Sequence, residues 1–290
     1  MKHPFIDKLL KVIVGSGTDW SKDNASLLAA AIAYYTLFSL APLLIIAIAI
    51  VGTVFGQAAV QNEIYEQIKT LIGKQGAQTV QELILNASNP KSSIGATVFS
   101  AVALLFGASG VFTQLQTALN TVWHVPPKPA HNLQDIIRNN LFSFTMIGGI
   151  SFLFLVSLLV DAFFTVSGKF FAGFLPNSTH LIMIANNILT LCFITVLFAT
   201  LFKTLPNAKV KWADVWIGAI VTTSLFYIGK FFIGLYLGSS AIGSTYGAAA
   251  SLVIILIWTY YSAQIVLYGA EFTKWYAQYF GSRIVPDKTE

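Results

Sequence analysis

The residues best suited to chemistry in this chain lie along one face of its last apolar run. Trp258, Tyr261, Gln264 or Ile265, Tyr268, Glu271 or Phe272, and Trp275 recur at three- and four-residue steps, the spacing that aligns side chains on one side of an α-helix. Phenol hydroxyls, an amide and a carboxylate in such a line can hold a polar group or carry a proton. Gln264 needs a partner, because an unsatisfied amide in hydrocarbon is expensive. A second set stands in the first apolar run, "AIAYYTLFSLAP", residues 31–42. Tyr34 and Tyr35 lie about two turns into that run. Tyr35, Ser39 and Pro42 share a face, and Pro42 removes the backbone hydrogen bond to Phe38. Facing each other, the two sets would line a hydrated or headgroup-sized path opening toward the cytoplasm. The plain alternative is a kinked helix packed through Ala30, Ala33 and Ala41, with Tyr268, Trp275 and Tyr276 as interfacial aromatics and Glu271 as a solvated end residue.

Two further charges fall inside apolar runs, Asp161 and Lys230. Placed at similar depth near the outer end of their spans, they can pair, or Lys230 can snorkel to the interface and leave Asp161 among headgroups. Metal and cofactor chemistry finds no motif. Cys192 is the single cysteine and is expected to pack within its span, and His124 and His131 share a loop with no carboxylate cluster. A glycine-rich Gly-Lys-Ser/Thr loop for nucleotide phosphates is missing, so any energy for movement is borrowed or the movement is passive.

The elements that position these residues follow from composition. With 56% hydrophobic residues and only 10% charged ones, the chain departs from the roughly 25% charge of soluble domains. Charge-free intervals run from Asp23 to Glu63, Lys91 to Lys128, Arg138 to Asp161, Lys169 to Lys203 and Lys230 to Glu271. With Val215–Leu237 added, they predict an all-α membrane protein of six transmembrane helices, about 28–54, 93–113, 139–166, 181–203, 214–237 and 247–272. The runs are continuous rather than alternating, which disfavours a β-barrel.

An even number of spans puts both termini on one side, and basic residues choose the side. With the N-terminus inside, twelve basic residues fall in inner segments (among them Lys8, Lys11, Lys22, Lys203, Lys209, Lys211 and Lys274) and four in outer ones: Lys69, Lys74, Lys91 and Lys169. Both termini are therefore expected in the cytoplasm. The net charge of +5 reads as membrane anchoring, and nucleic acid is not an expected partner, because the positive charge is dispersed.

Residues 1–27 form a cytoplasmic start without a cleavable signal pattern. Phe5, Ile6, Leu9, Leu10 and Ile13 share a helix face opposite Lys8 and Lys11, which suits a helix on the inner leaflet or a capping helix. The outer segment 57–91 reads as two amphipathic helices joined near "GKQGA", resting on the membrane or capping the bundle. The connection "WHVPPKPAHN" is expected to be extended and stiff, because it holds three prolines.

Three segments carry a resemblance: "AAAIAYYTLFSLAPLLIIAIA", "GASGVFTQLQTALNTVW" and "STYGAAASLVIILIWTYYSAQIVLYGAEFTKWY". In order and spacing they resemble the YihY/BrkB family of bacterial inner-membrane proteins over nearly the whole chain. Matching positions include Tyr34, Pro42, Leu119, Asn120, Trp123, Arg138, Tyr246, Gly247, Trp258, Gly269, Ala270 and Glu271, while "HVPPKPAHN" departs from the pattern. The resemblance implies a six-helix protein of the bacterial inner membrane. The family has carried ribonuclease, virulence and envelope-lipid transport labels. A nuclease needs clustered metal-binding acids or histidines and a basic groove in water, and four scattered histidines with twelve scattered carboxylates do not supply them. The expectation is a protein that is not an enzyme and that transports or flips an amphipathic envelope component, with membrane lipids as partners. The competing expectation is a scaffold that docks envelope-biogenesis proteins. Small residues such as Gly107, Gly110 and Ala248 to Ala250 serve close helix packing or homo-oligomer contacts equally well.

Overall fold

In hydrocarbon every backbone N–H and C=O must be satisfied within the chain, and long apolar runs do this by coiling into helices. The computed structural model, which describes residues 4–88, 110–126, 149, 178–239 and 249–286, follows that rule. Its helices are α1 (Pro4–Lys22), α2 (Ala25–Phe55), α3 (Gln57–Ser88), α4 (110–122), α5 (Ser178–Thr204), α6 (Trp212–Ser239) and α7 (Ala250–Tyr279). Two two-residue strands, β1 (Ala208–Lys209) and β2 (Val285–Pro286), pair antiparallel, with Ala208 opposite Pro286 and Lys209 opposite Val285.

Among the described residues four helical segments are long and apolar enough to cross a membrane: Ala25–Phe55, Asn187–Thr204, Trp212–Ile233 and Ala250–Tyr279. They fall on four of the six expected spans. The expected spans 93–113 and 139–166 lie outside the described residues except at 110–113 and 149, as do Arg138, Asp161, His131, Tyr246 and Gly247.

α1 and α2 meet at Asn24, whose left-handed backbone (φ 52, ψ 42) turns the chain where a non-glycine residue of this type is tolerated. The stripe Phe5, Ile6, Leu10 and Ile13 is exposed. A different face, Val12, Gly15, Ser16 and Asp19, packs on α7, with Gly15 leaving the space that the Trp275 ring fills. α2 continues as one helix through Pro42. Within α3, Gly73 (φ 81, ψ 171) breaks the helical path inside the "GKQGA" segment, at a backbone conformation that favours glycine. The two arms of α3 bring Val60, Ile64, Ile72, Val80 and Ile84 into one core with Ile48 and Val51 of α2 and Ile254, Ile255 and Trp258 of α7.

The contact between α6 and α7 is built on two matching notches. Thr222 donates its hydroxyl to the Gly218 carbonyl at 2.7 Å and faces Gly269, while Thr273 donates to the Gly269 carbonyl at 2.7 Å and faces Gly218. A side chain at either glycine would overlap the opposing threonine hydroxyl, so the two backbones approach as only small residues permit. Farther along, Gly229 leaves room for the Tyr261 phenol, and Phe226 meets Trp258 edge-on with ring centroids 6.0 Å apart.

Candidate functional site

Five stretches converge at the end of the bundle that carries α1 and the last described residues. The α4 end ties to the α5–α6 connection: Gln116 Nε2 donates to the Leu205 carbonyl at 2.8 Å, and the Asn207 N–H donates to Asn120 Oδ1 at 2.9 Å. Trp123 Nε1 donates to the Ala270 carbonyl of α7 at 2.9 Å. Lys203 donates to the Val210 carbonyl, and Asp214 Oδ2 accepts from the Ser282 N–H and hydroxyl at 3.2 and 3.0 Å, fastening the tail to the start of α6.

At the centre of this layer stands Lys274. Its ammonium donates to the Val122 carbonyl at 2.9 Å and lies 3.2 Å from Asp19 Oδ2, 3.8 Å from Asp23 Oδ2 and 2.6 Å from Glu271 Oε2. Trp275 Nε1 donates to Asp19 Oδ2 at 2.9 Å. His124, held at φ 54, places Nε2 3.3 Å from Asp23 Oδ1 at the exposed rim. Burial pushes the Asp19 carboxyl up, but the Lys274 and Trp275 donors and the Lys274 charge outweigh it and hold the group below its ordinary value.

Glu271 is the unusual member. Its side chain is 0% exposed; Oε2 pairs with the Lys274 ammonium at 2.6 Å, while Oε1 has no hydrogen-bond partner among the described residues. The Asp23 carboxyl stands close enough to interact with it, and Asp23 Oδ2 is likewise buried without a hydrogen bond. The expectation of a solvated end residue is corrected here. α7 runs on to Tyr279, past the expected end at 272, so Glu271 sits two turns inside the helix, beneath α1 and the α1–α2 turn.

The other expected site residues are distributed over several surfaces. Ser39 is buried, and it and Tyr35 lie toward α4, where a Cβ on Gly110 would stand 3.2 Å from the Tyr35 ring and 3.5 Å from Ser39 Oγ. The Tyr34 and Tyr35 rings are exposed on the described surface and meet edge-on at 5.8 Å. Trp258 packs into the α2–α3 core and Tyr261 onto α6. Gln264 and Tyr268 are half-buried, and Gln264 Oε1 is shut away with no partner among the described residues. Lys230 is half-buried on α6 between exposed Ile228 and Phe231, while its expected partner Asp161 lies outside the described residues. Cys192 is exposed rather than packed.

Sequence reasoning did not single out Asp19, Asp23 and Lys274. Their signal was available: Lys274 follows Glu271 by three residues, the spacing of neighbours on a helix face, and both aspartates lie near the end of the amphipathic segment that precedes the first span.

A bundle of long apolar helices whose polar contacts gather at one end defines a multi-pass α-helical membrane protein. A family model described as "Virulence factor BrkB" matches residues 17–290, and the chain belongs to that family, YihY/BrkB. It is 28% identical over 278 residues to a UPF0761 membrane protein of Actinobacillus pleuropneumoniae, covering 93% of this chain and 92% of that one. A UPF0761 membrane protein of Photobacterium profundum is 28% identical over 259 residues, covering 87% of this chain and 76% of its own length. One from Rhodospirillum centenum is 26% identical over 257 residues, and there the match spans 54% of the relative's length. No solved structure matches. The motif positions Leu119, Asn120, Trp123, Gly269, Ala270 and Glu271, separated widely in sequence, come together in the layer around Lys274.

Proposed function

We propose that the protein transports or flips an amphipathic envelope component, a lipid or lipid precursor, across the bacterial inner membrane, with both termini in the cytoplasm. The observation that carries this reading is a line of polar side chains on one face of α7, two of which bury an unpartnered oxygen. Gln264 Oε1 is buried without a partner, the half-buried Tyr268 follows one turn on, and Glu271 comes next, with Oε2 on the Lys274 ammonium and Oε1 lacking a donor among the described residues. Buried polar atoms left unpaired cost roughly 1–3 kcal/mol each, a cost that a purely structural helix avoids by using apolar side chains. In a membrane such groups mark paths for polar cargo or ions. Basic residues at the same end, including Lys203, Lys209, Lys211 and Arg283, suit the cytoplasmic leaflet and its anionic headgroups.

The scaffold reading draws on a different feature, the exposed apolar stripe of α1, which offers a docking face. Reconstitution separates the two. In vesicles of phosphatidylethanolamine and phosphatidylglycerol carrying headgroup-labelled phosphatidylglycerol, a transporter exposes the inner-leaflet label to an impermeant quencher faster than protein-free vesicles do. The Gln264→Leu variant slows that exposure. Equal rates with and without protein, across anionic and zwitterionic labelled lipids, favour the scaffold.

A further inference from the structure

Donors and acceptors around Lys274 do not balance. A lysine ammonium has three protons to give. Four oxygens surround it: the Val122 carbonyl, Asp19 Oδ2, Asp23 Oδ2 and Glu271 Oε2. Glu271 Oε1 is then left with no donor among the described residues, on a side chain that is 0% exposed. Charge is equally out of balance, with one ammonium facing three carboxylates. Every described element packed here contributes: Asp19 and Lys22 from α1, Asp23 from the turn, His124 from beyond the α4 end, and Glu271 and Lys274 from α7. Lys22 acts on Asp19 from a distance, and His124 reaches only Asp23, on the outer side. Two adjacent carboxyl groups, one buried and one largely so, cannot both stay ionised cheaply, and one proton placed between them supplies the missing donor and one of the two missing positive charges.

We infer that Asp23 and Glu271 hold one exchangeable proton between them, forming a proton-binding site at the α1–α7 junction to which transport is coupled. The inference deepens the transport reading and rests on it for the coupling, but the proton site stands or falls by itself. Binding joins a proton from bulk water to one carboxylate of the pair as an O–H bond donated to the other; release returns it to water past His124 at the rim. Loss of the proton leaves two facing carboxylates and drives the α1–α2 turn away from α7, a movement that opens the foot of the α7 polar stripe.

The test uses the full chain in nanodiscs. Infrared spectra recorded across a pH titration in H2O and D2O are expected to show one carboxylic C=O band that shifts on deuteration and disappears as pH rises. The band vanishes in Glu271→Gln and in Asp23→Asn, and persists with a shifted frequency in Glu271→Asp. Asp23→Asn sits in a turn rather than in a helix interior, so it reports even if Glu271→Gln fails to fold. A wild-type spectrum without the band, or a band that survives both amide variants, overturns the proton site whatever vesicles show. In proteoliposomes with labelled phosphatidylglycerol, an imposed pH gradient is expected to change the wild-type rate and to leave the Asp23→Asn rate unaltered. A wild-type rate indifferent to the gradient, with the band present, overturns the coupling and leaves the proton site. A band together with no lipid movement at all overturns the transport reading rather than the site.

Discussion

The two ends of the bundle are built on opposite principles. At the end that holds α1 and the tail, single side chains reach across the chain: Trp123 to α7, Asn120 to the 204–212 connection, Trp275 to α1, Asp214 to Ser282. At the other end, α3 covers α2 and α7 through Val60, Ile64, Val80 and Ile84, and the described packing there is apolar, mostly aliphatic with Trp258 at its edge. Directional bonds specify one geometry, whereas aliphatic contacts tolerate exchange of similar volumes. The first end is therefore where a defined, switchable arrangement can be stored, and the second is a cover.

The sharpest way to break that contrast is Lys274→Met, which leaves Asp19, Asp23 and Glu271 facing one another without their cation. Stripping one partner from a buried charge cluster costs about 3–5 kcal/mol, so the thermal midpoint in detergent falls steeply. Combining it with Glu271→Leu recovers part of the loss, because the two sites are coupled. Next in size, Gly269→Ala forces a methyl into the Thr222 hydroxyl and costs about 1–3 kcal/mol; Thr222→Ala in the same chain restores most of it. At the covered end, Ile84→Val removes one methyl from an aliphatic core and costs about 0.5–1.5 kcal/mol with no change in lipid movement. A stability loss there as large as that of Lys274→Met would erase the distinction between the two ends.

The smallest effect concerns pH. Asp19 sits below its ordinary value in the folded protein, so its contribution is fully present above the unfolded-state value near 3.8 and is lost as pH falls through the lower folded one. Asp19→Asn should therefore lower stability at neutral pH and flatten the acid limb of the stability–pH curve, so that the variant and the wild type converge in acid, which a melting series from neutral to acid pH will show.

Much of the architecture was readable because hydrocarbon imposes a simple rule on composition. The charge-free runs placed α2, α5, α6 and α7 within a few residues of where they lie, apart from the extra turns of α7 beyond 272. Those turns are polar at their ends and owe their order to α1, a neighbour that hydropathy cannot see. The α6–α7 notch left a trace that spacing could have found, since "GAIVT" at 218–222 and "GAEFT" at 269–273 repeat a Gly-x-x-x-Thr pattern. Glu271 lies within the second of these. The Asp19–Asp23–Glu271–Lys274 group was harder to see, because it joins residues some 250 positions apart by a contact that no local periodicity encodes. In the first apolar run, Tyr35 and Ser39 share a helix face, as counted, but sequence could not say which helix that face would meet.

Transport along the α7 stripe is tested most directly by water access. With Cys192→Ser as background, single cysteines in place of Gln264 and Tyr268 are labelled in sealed membranes with a polar maleimide, and His124→Cys at the exposed rim serves as the control. A path that carries polar headgroups predicts labelling at both stripe positions from the side that labels position 124. Protection of both, with position 124 fully labelled, would show a dry interior and contradict transport of a polar-headed cargo along this face.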